Sequence, residues 1–211
     1  MNKSVRWRII TLQATMVAVL AFASGFALFE GGFVTGMVHD QLAAQQIFFP
    51  AQSAVVAGGA LDPAEFGDIT QYAGQQVDSG VKAQAYGNGF IGRHLAKIAN
   101  GLTYSQVGAL AGPVNAQLAA TPKTDPNYPV LQAQLATIAG QKAALFQGEM
   151  LRSTLLNAWG WSQLGMFTTF AGYFLMLATL VVLGALAFEL FFARRRENVD
   201  TTAKAFIPAT A

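Results

Sequence analysis

LGMFTTFAGYFLMLATLVVLGALAF, residues 164–188, contains no charged residue over 25 positions. A helix of about 20 apolar residues is long enough to cross the roughly 30 Å hydrocarbon core of a bilayer. A second uncharged run, IITLQATMVAVLAFASGFALF, occupies residues 9–29 and is 21 residues long. No stretch between the two is comparably long and apolar. The sequence therefore predicts a protein with two transmembrane helices, over residues 9–29 and 161–193.

The composition of the whole chain agrees with a membrane protein. Of its 211 residues, 53% are hydrophobic and 11% are charged, whereas a soluble domain usually carries about 25% charged residues. The chain contains no cysteine. This absence excludes thiol catalysis, iron–sulfur ligation, c-type haem attachment, zinc–thiolate sites and disulfides, so packing alone must stabilise the fold.

The basic residues at the two ends predict the orientation in the membrane. Cytoplasmic flanks carry an excess of Lys and Arg, so we expect residues 1–8 and 194–211 inside and residues 30–160 outside. Residues 31–160 include seven acidic and six basic residues, a net charge of −1, so the overall charge of +2 comes from the flanks. It indicates topology, not nucleic-acid binding. The flanking residues are Lys3, Arg6, Arg8, Arg194, Arg195 and Arg196.

A cleaved signal peptide is the alternative for the first apolar run. Ala21-Phe22-Ala23 has the small-x-small form of a cleavage site. The apolar character continues beyond it to Phe29. We therefore expect an uncleaved anchor.

The first half of the outer segment has helical spacing of its apolar residues. Asp62 is a plausible N-cap with Pro63 at the first helical position, and the apolar spacing predicts a helix as far as Val77. A second helix is predicted over residues 81–99, with Gly87-Asn88-Gly89 as a weak point and Asn100-Gly101 as its stop.

The second half predicts a third helix and a long fourth one. Thr103 and Gln106 have capping-box spacing, and the helix that follows has one apolar stripe. TPKTDPNYP, residues 121–129, is a loop with three prolines. After it, a long helix should continue towards the second apolar run. The fold class is thus all-α: a two-helix transmembrane hairpin carrying an extracytoplasmic bundle of about four helices. The predicted stripe comprises Tyr104, Val107, Leu110, Ala111, Val114 and Leu118.

Small residues recur along one face of each apolar run. Such faces let helices approach closely in lipid, where packing drives association. We therefore expect them to contact other membrane-protein subunits or a second copy of the chain. Three tryptophans and the arginines after the second run should sit at the membrane interface, in contact with lipid. The small residues are Ala14, Ala18, Ala21, Gly25, Gly32 and Gly36 on the first helix and Ala171, Ala178 and Ala185 on the second; the tryptophans are Trp7, Trp159 and Trp161.

Two polar residues near the apolar runs are candidates for chemistry. His39 falls on the small-residue face if the first helix continues, so a metal ligand or proton-handling group is one interpretation. A mononuclear site usually needs about three protein ligands, and the other histidine, His94, is distant in sequence. We expect His39 to be buried against the outer helices and hydrogen-bonded to a backbone carbonyl or a side chain. Glu189 lies near the end of the second run, where an ionisable residue indicates function by default; pairing with Arg194 and Arg195 is the simpler expectation.

Sequence motifs of enzymes and cofactor sites are absent. The chain has no GxxxxGK, GxSxG or HExxH. GNGFIG, residues 87–92, resembles GxGxxG but is not followed by a βαβ pattern. We therefore expect no catalytic residues, no metal site and no cofactor.

VHDQLAAQQIFFP and YAGQQVDSGVKAQAYGNGFIGRHLAKIANGLTYSQV, both within residues 38–107, resemble an actinobacterial family of uncharacterised two-span membrane proteins. The resemblance extends to both apolar runs and implies the same fold. Some relatives carry an aromatic-ring dioxygenase label, but two isolated histidines do not make a non-haem iron triad.

These observations favour a non-enzymatic accessory subunit of a larger complex in the bacterial cytoplasmic membrane. A respiratory assembly is one candidate, by an analogy of general shape only. The alternative is a homo-oligomeric ligand-binding or sensor-like membrane module. A metal or oxidase-type enzyme is the third class.

Overall fold

The computed structural model describes the backbone of residues 3–205 and the side chains of residues 4–195. Within this part the chain is 82% helical and has no strand, only an isolated antiparallel bridge between Phe48 and Gln76. The all-α prediction is confirmed. Residues 3–205 form six α-helices: α1 (Lys3–Ala44), α2 (Pro63–Phe66), α3 (Gly80–Gln84), α4 (Gly92–Lys97), α5 (Tyr104–Ala120) and α6 (Tyr128–Ala205).

Two of these helices, α1 and α6, contain the apolar runs. Both are long and apolar enough to cross a membrane, as judged by length and composition. Their most apolar windows are almost entirely exposed, with 6% and 0% of the residues buried. A core helix of a soluble protein would be mostly buried, so this exposure favours the membrane interpretation.

The chain divides into two compact units. The first, which we call the helix-pair unit, comprises Met1–Val34 and Leu164–Ala211. The second, the central unit, comprises Thr35–Gln163. Each unit has its own packing, described separately below.

The helix-pair unit is held together by close contacts between α1 and α6. Ser24 Oγ donates a hydrogen bond to Gly172 O over 2.9 Å. A Cβ added to Gly31 would lie 2.9 Å from Gly165 O, and one added to Gly172 would lie 2.8 Å from Leu28 Cγ. Gly31 thus meets Gly165, whereas Ser24, which comes earlier in α1, meets Gly172, which comes later in α6, so the two helices run in opposite directions.

The central unit has two hydrophobic clusters. The larger cluster joins the end of α1, the segment 47–77, α3 and Leu155 of α6. The smaller cluster joins α4, α5 and the first half of α6. The first half of α6 therefore contributes residues to both clusters. The fully buried side chains of largest volume are Phe66, Leu61, Val77 and Val107.

The predicted helix from Pro63 to Val77 is wrong in extent. Asp62 is indeed the N-cap and accepts a hydrogen bond from Ala64 N over 2.9 Å, but α2 ends at Phe66. A 3₁₀ turn follows at Thr70–Tyr72, and Gly74 has a φ of +72°, which glycine adopts without strain. Phe66, Ile69 and Val77 of this segment are buried in the core as expected, but they lie on separate turns and not on one helix.

The next predicted helix is confirmed in position and irregular in form. It consists of α3, a π-helical segment (Ala85–Ile91) and α4. The weak point at Gly87-Asn88-Gly89 lies within the π-helical segment. Positive φ values at Asn100 (57°) and Gly101 (81°) confirm the predicted stop.

The capping box at Thr103 and Gln106 is confirmed at the start of α5. In the predicted stripe of α5, Val107 and Val114 are buried, but Tyr104 and Leu110 are exposed. The long helix after the proline-rich loop is also confirmed: α6 runs for 78 residues without interruption.

Candidate functional site

The predicted small-residue face of α1 is open. Ala14, Ala18, Ala21, Gly25 and Gly32 are all exposed. A Cβ added to Gly25 or Gly32 would meet no atom within 4 Å. Farther along the same helix, a Cβ at Gly36 would also meet nothing within that distance. This face therefore has room for the backbone of another helix.

The face of α1 that contacts α6 is a different one. It repeats every seven residues and contains Ile10, Val17, Ser24 and Gly31, which are buried or partly buried. Each small residue at positions 18, 25 and 32 follows a member of this series by one residue. One residue corresponds to a rotation of about 100° around a helix of 3.6 residues per turn. The small-residue face of α1 is thus rotated by about 100° from the face that contacts α6.

On α6, too, the predicted small residues lie next to the contact series, here one residue before it. Gly165 and Gly172 are buried against α1, with partly buried Thr179 one heptad later. Ala171, Ala178 and Ala185 lie one residue before a heptad series that contains Gly172 and Thr179. Ala171 and Ala185 are exposed, and Ala178 is partly buried.

Sequence reasoning missed the residues that join the two long helices. The signal was present: Ser24 and Gly31 are seven residues apart, and so are Gly165 and Gly172. The sequence analysis assigned helix packing to the alanine-rich faces because they contain more small residues. Glycine and serine are among the small residues that let membrane helices approach closely.

Large apolar side chains cover the side of α1 opposite its contact with α6. Phe22, Phe26, Phe29 and Phe33 are all exposed, and the rings of Phe22 and Phe26 stack with centroids 6.4 Å apart. Their bulk suits contact with lipid chains. The two unpaired faces of α1 therefore differ in character, one small and one aromatic.

The predicted interface residues are accessible where they are described. Trp7 and Trp161 are exposed, and Trp159 is partly buried. Arg194 and Arg195 are exposed. The side chain of Arg196 lies outside the described residues.

Glu189 pairs with a residue of the other long helix. Its Oε2 lies 3.6 Å from Arg6 Nε, so the expected pairing with Arg194 and Arg195 is replaced by a contact between α1 and α6. Opposite helix directions bring Arg6 to the level of Glu189. Among the described side chains, Arg6 Nε and Gln13 Oε1 are buried polar atoms without a hydrogen-bond partner.

His39 lies in the central unit, where its Nδ1 is 2.9 Å from Asp78 O. The expected partner, a backbone carbonyl, is confirmed, but the expected burial is wrong because His39 is exposed. Asp78 also accepts a hydrogen bond from Lys82 Nζ over 3.0 Å, which lowers the pKa of its carboxyl group. His39 therefore makes a hydrogen bond at the protein surface.

His94 belongs to a separate aromatic cluster. Its ring stacks on Phe66 with centroids 5.3 Å apart, and its Nδ1 is 2.8 Å from Phe90 O. The two histidines therefore have different neighbours. Within the described part of the chain, no three His, Asp or Glu side chains lie close enough together to hold a metal ion.

No protein-family model, curated protein or solved structure matches this chain.

Proposed function

We propose that the chain is a non-enzymatic accessory subunit of a larger complex in the cytoplasmic membrane. In this proposal the two apolar runs form a transmembrane hairpin with both termini in the cytoplasm. Residues 30–160 form a helical bundle on the outer side. The small-residue face of α1, defined by Ala14, Ala18, Ala21, Gly25 and Gly32, receives a helix of a partner subunit.

One observation carries this proposal: the small-residue face is open although α1 already packs against α6. Between membrane helices there is no hydrophobic driving force, so close packing and hydrogen bonds provide the attraction. The pair α1–α6 uses Ser24 and Gly172 for that purpose. Gly25, on the adjacent face, has nothing within 4 Å of a Cβ position. A second close helix contact on α1 is therefore available to another chain.

The charges at the ends of the long helices support the proposed topology. Arg6 and Arg8 precede the apolar run of α1, and Arg194 and Arg195 follow that of α6. An excess of basic residues is typical of the cytoplasmic side. Trp159 and Trp161 then mark the outer boundary of the second span, where indole rings favour the headgroup level.

Purification of the full chain from its native membrane in mild detergent, followed by mass spectrometry of the co-purifying chains, tests the proposal. We expect stoichiometric recovery of subunits of one membrane complex, with respiratory assemblies as the first class to examine. Recovery of this chain alone, in several copies, would overturn the proposal and favour a homo-oligomeric ligand-binding module.

A further inference from the structure

The central unit contains a cavity of about 470 Å³ between α4, the start of α5 and α6. This volume lies in the range of small-molecule sites, roughly 300–1,000 Å³. Leu95, Leu102 and Leu145 provide apolar walls. The charged residues in its lining are Glu149 and Arg152, one turn apart on α6.

Arg152 is held in place by a neutral group. Its Nε and Nη2 donate to Asn88 Oδ1 over 3.1 and 3.0 Å. Asn88 lies in the π-helical segment between α3 and α4, and such segments are frequent at functional sites. Gly92 borders the guanidinium closely, since a Cβ there would be 3.5 Å from Arg152 Nε. Because an amide carries no charge, Asn88 positions Arg152 without neutralising it.

Glu149 is only loosely engaged with Arg152. Its Oε1 and Oε2 accept long hydrogen bonds from Arg152 Nη1 over 3.5 and 3.4 Å, and its side chain is 52% exposed. In the same unit, Arg93 and Asp68 form a fork-shaped pair at 2.7 and 2.9 Å. The cavity thus presents a cation and an anion whose contacts with each other are longer than those of the Arg93–Asp68 pair.

We propose that this cavity binds a free α-amino acid with an apolar side chain. Its carboxylate pairs with Arg152, its ammonium group with Glu149, and its side chain lies against Leu95, Leu102 and Leu145. A simple anion would be repelled by Glu149, and a simple cation by Arg152. A small zwitterion satisfies both charges. The inference goes beyond the accessory role, because it concerns the central unit of a single chain.

The test uses the full chain purified in detergent and titrated with leucine, valine and phenylalanine in equilibrium dialysis. We expect saturable binding of at least one of them. Removing either charged group of the bound amino acid, as in 4-methylpentanoate or 3-methylbutylamine, should weaken binding about tenfold or more, as expected for loss of a hydrogen bond to a charged group.

Arg152→Gln and Glu149→Gln should weaken binding by a similar factor. Their matched controls are Arg93→Gln and Glu65→Gln, which remove the same groups from ion pairs outside the cavity lining. Circular dichroism of each variant verifies folding. If Arg152→Gln fails to fold, Glu149→Gln and the ligand series still decide.

Three results would overturn the proposal: no saturable binding of any of the three amino acids, equal binding of leucine and 4-methylpentanoate, or unchanged binding by the folded cavity variants. The measurement is made on the isolated chain. Its failure therefore leaves the accessory role untouched, and absence of a partner complex leaves this site untouched.

Discussion

Ser24 on α1 donates a hydrogen bond to the main-chain oxygen of Gly172 on α6, over 2.9 Å. The absence of a side chain at Gly172 is what permits this approach, because a Cβ there would lie 2.8 Å from Leu28 Cγ. The bond and the close contact depend on each other. They define the face through which the two long helices pack.

The first prediction concerns this contact. Gly172→Leu should destabilise the helix pair by about 1–3 kcal/mol, the usual cost of overpacking. Ser24→Ala should cost only about 0.6 kcal/mol, the average for a hydrogen bond between membrane helices. Unfolding in SDS, monitored by tryptophan fluorescence, measures the change in unfolding free energy of both variants. Gly184→Leu is the control, because a Cβ at Gly184 meets nothing within 4 Å; equal destabilisation by both leucine variants would refute the packing described.

The second prediction concerns Arg6 and Glu189, whose Nε and Oε2 are 3.6 Å apart. Arg6→Glu and Glu189→Arg should each destabilise the helix pair, because like charges then face each other. The double swap should recover much of the loss, with a coupling free energy on the order of 1 kcal/mol. The same SDS unfolding measures the cycle. Additive effects of the two changes would show that the residues do not interact.

The third prediction concerns acid stability of the central unit. The pKa of Asp68 is lowered chiefly by hydrogen bonds from Arg93, and that of Asp62 by the backbone N–H groups of Gly58 and Ala64. A lowered folded-state pKa contributes stability above the unfolded value of about 3.9, and this contribution is lost as pH falls through the folded-state pKa. The melting temperature should therefore decrease when the pH is lowered below about 4.

Asp68→Asn should reduce this pH dependence. Asp40→Asn is the control, since Asp40 is an exposed carboxylate outside the Arg93–Asp68 pair. A melting temperature that changes equally with pH in wild type and Asp68→Asn would contradict the assignment.

The fourth prediction concerns topology, and the absence of cysteine makes it simple to test. A single cysteine in the loop of residues 121–129 should react with a membrane-impermeant reagent in intact cells. One at Thr201 should react only after the cells are opened. Labelling of Thr201→Cys, but not of the loop, in intact cells would reverse the proposed orientation.

Local signals in the sequence predicted the helix boundaries well. The capping box at Thr103, the stop at Asn100-Gly101 and the N-cap at Asp62 each depend on a few neighbouring residues, and all three are present. The extent of α2 was not predictable in this way. Helical spacing of buried residues also arises when short turns, separated by a glycine at positive φ such as Gly74, bring each one inward.

Pairings across long distances in the chain could not be predicted from local patterns. The contact of Glu189 with Arg6, rather than with the nearer Arg194, depends on the register between α1 and α6. The position of Asn88 against Arg152 depends on the π-helical segment, which shifts the helix phase at that point. Both require the tertiary arrangement.

If the small-residue face of α1 binds a helix of another subunit, a bulky side chain on that face should block the contact. Gly25→Leu, Gly184→Leu and wild type are purified in mild detergent, and co-purifying chains are quantified by mass spectrometry. Gly25→Leu should lower partner recovery about tenfold or more, the effect of ~1.4 kcal/mol, while Gly184→Leu recovers as much as wild type. Equal recovery by the two leucine variants would contradict the claim.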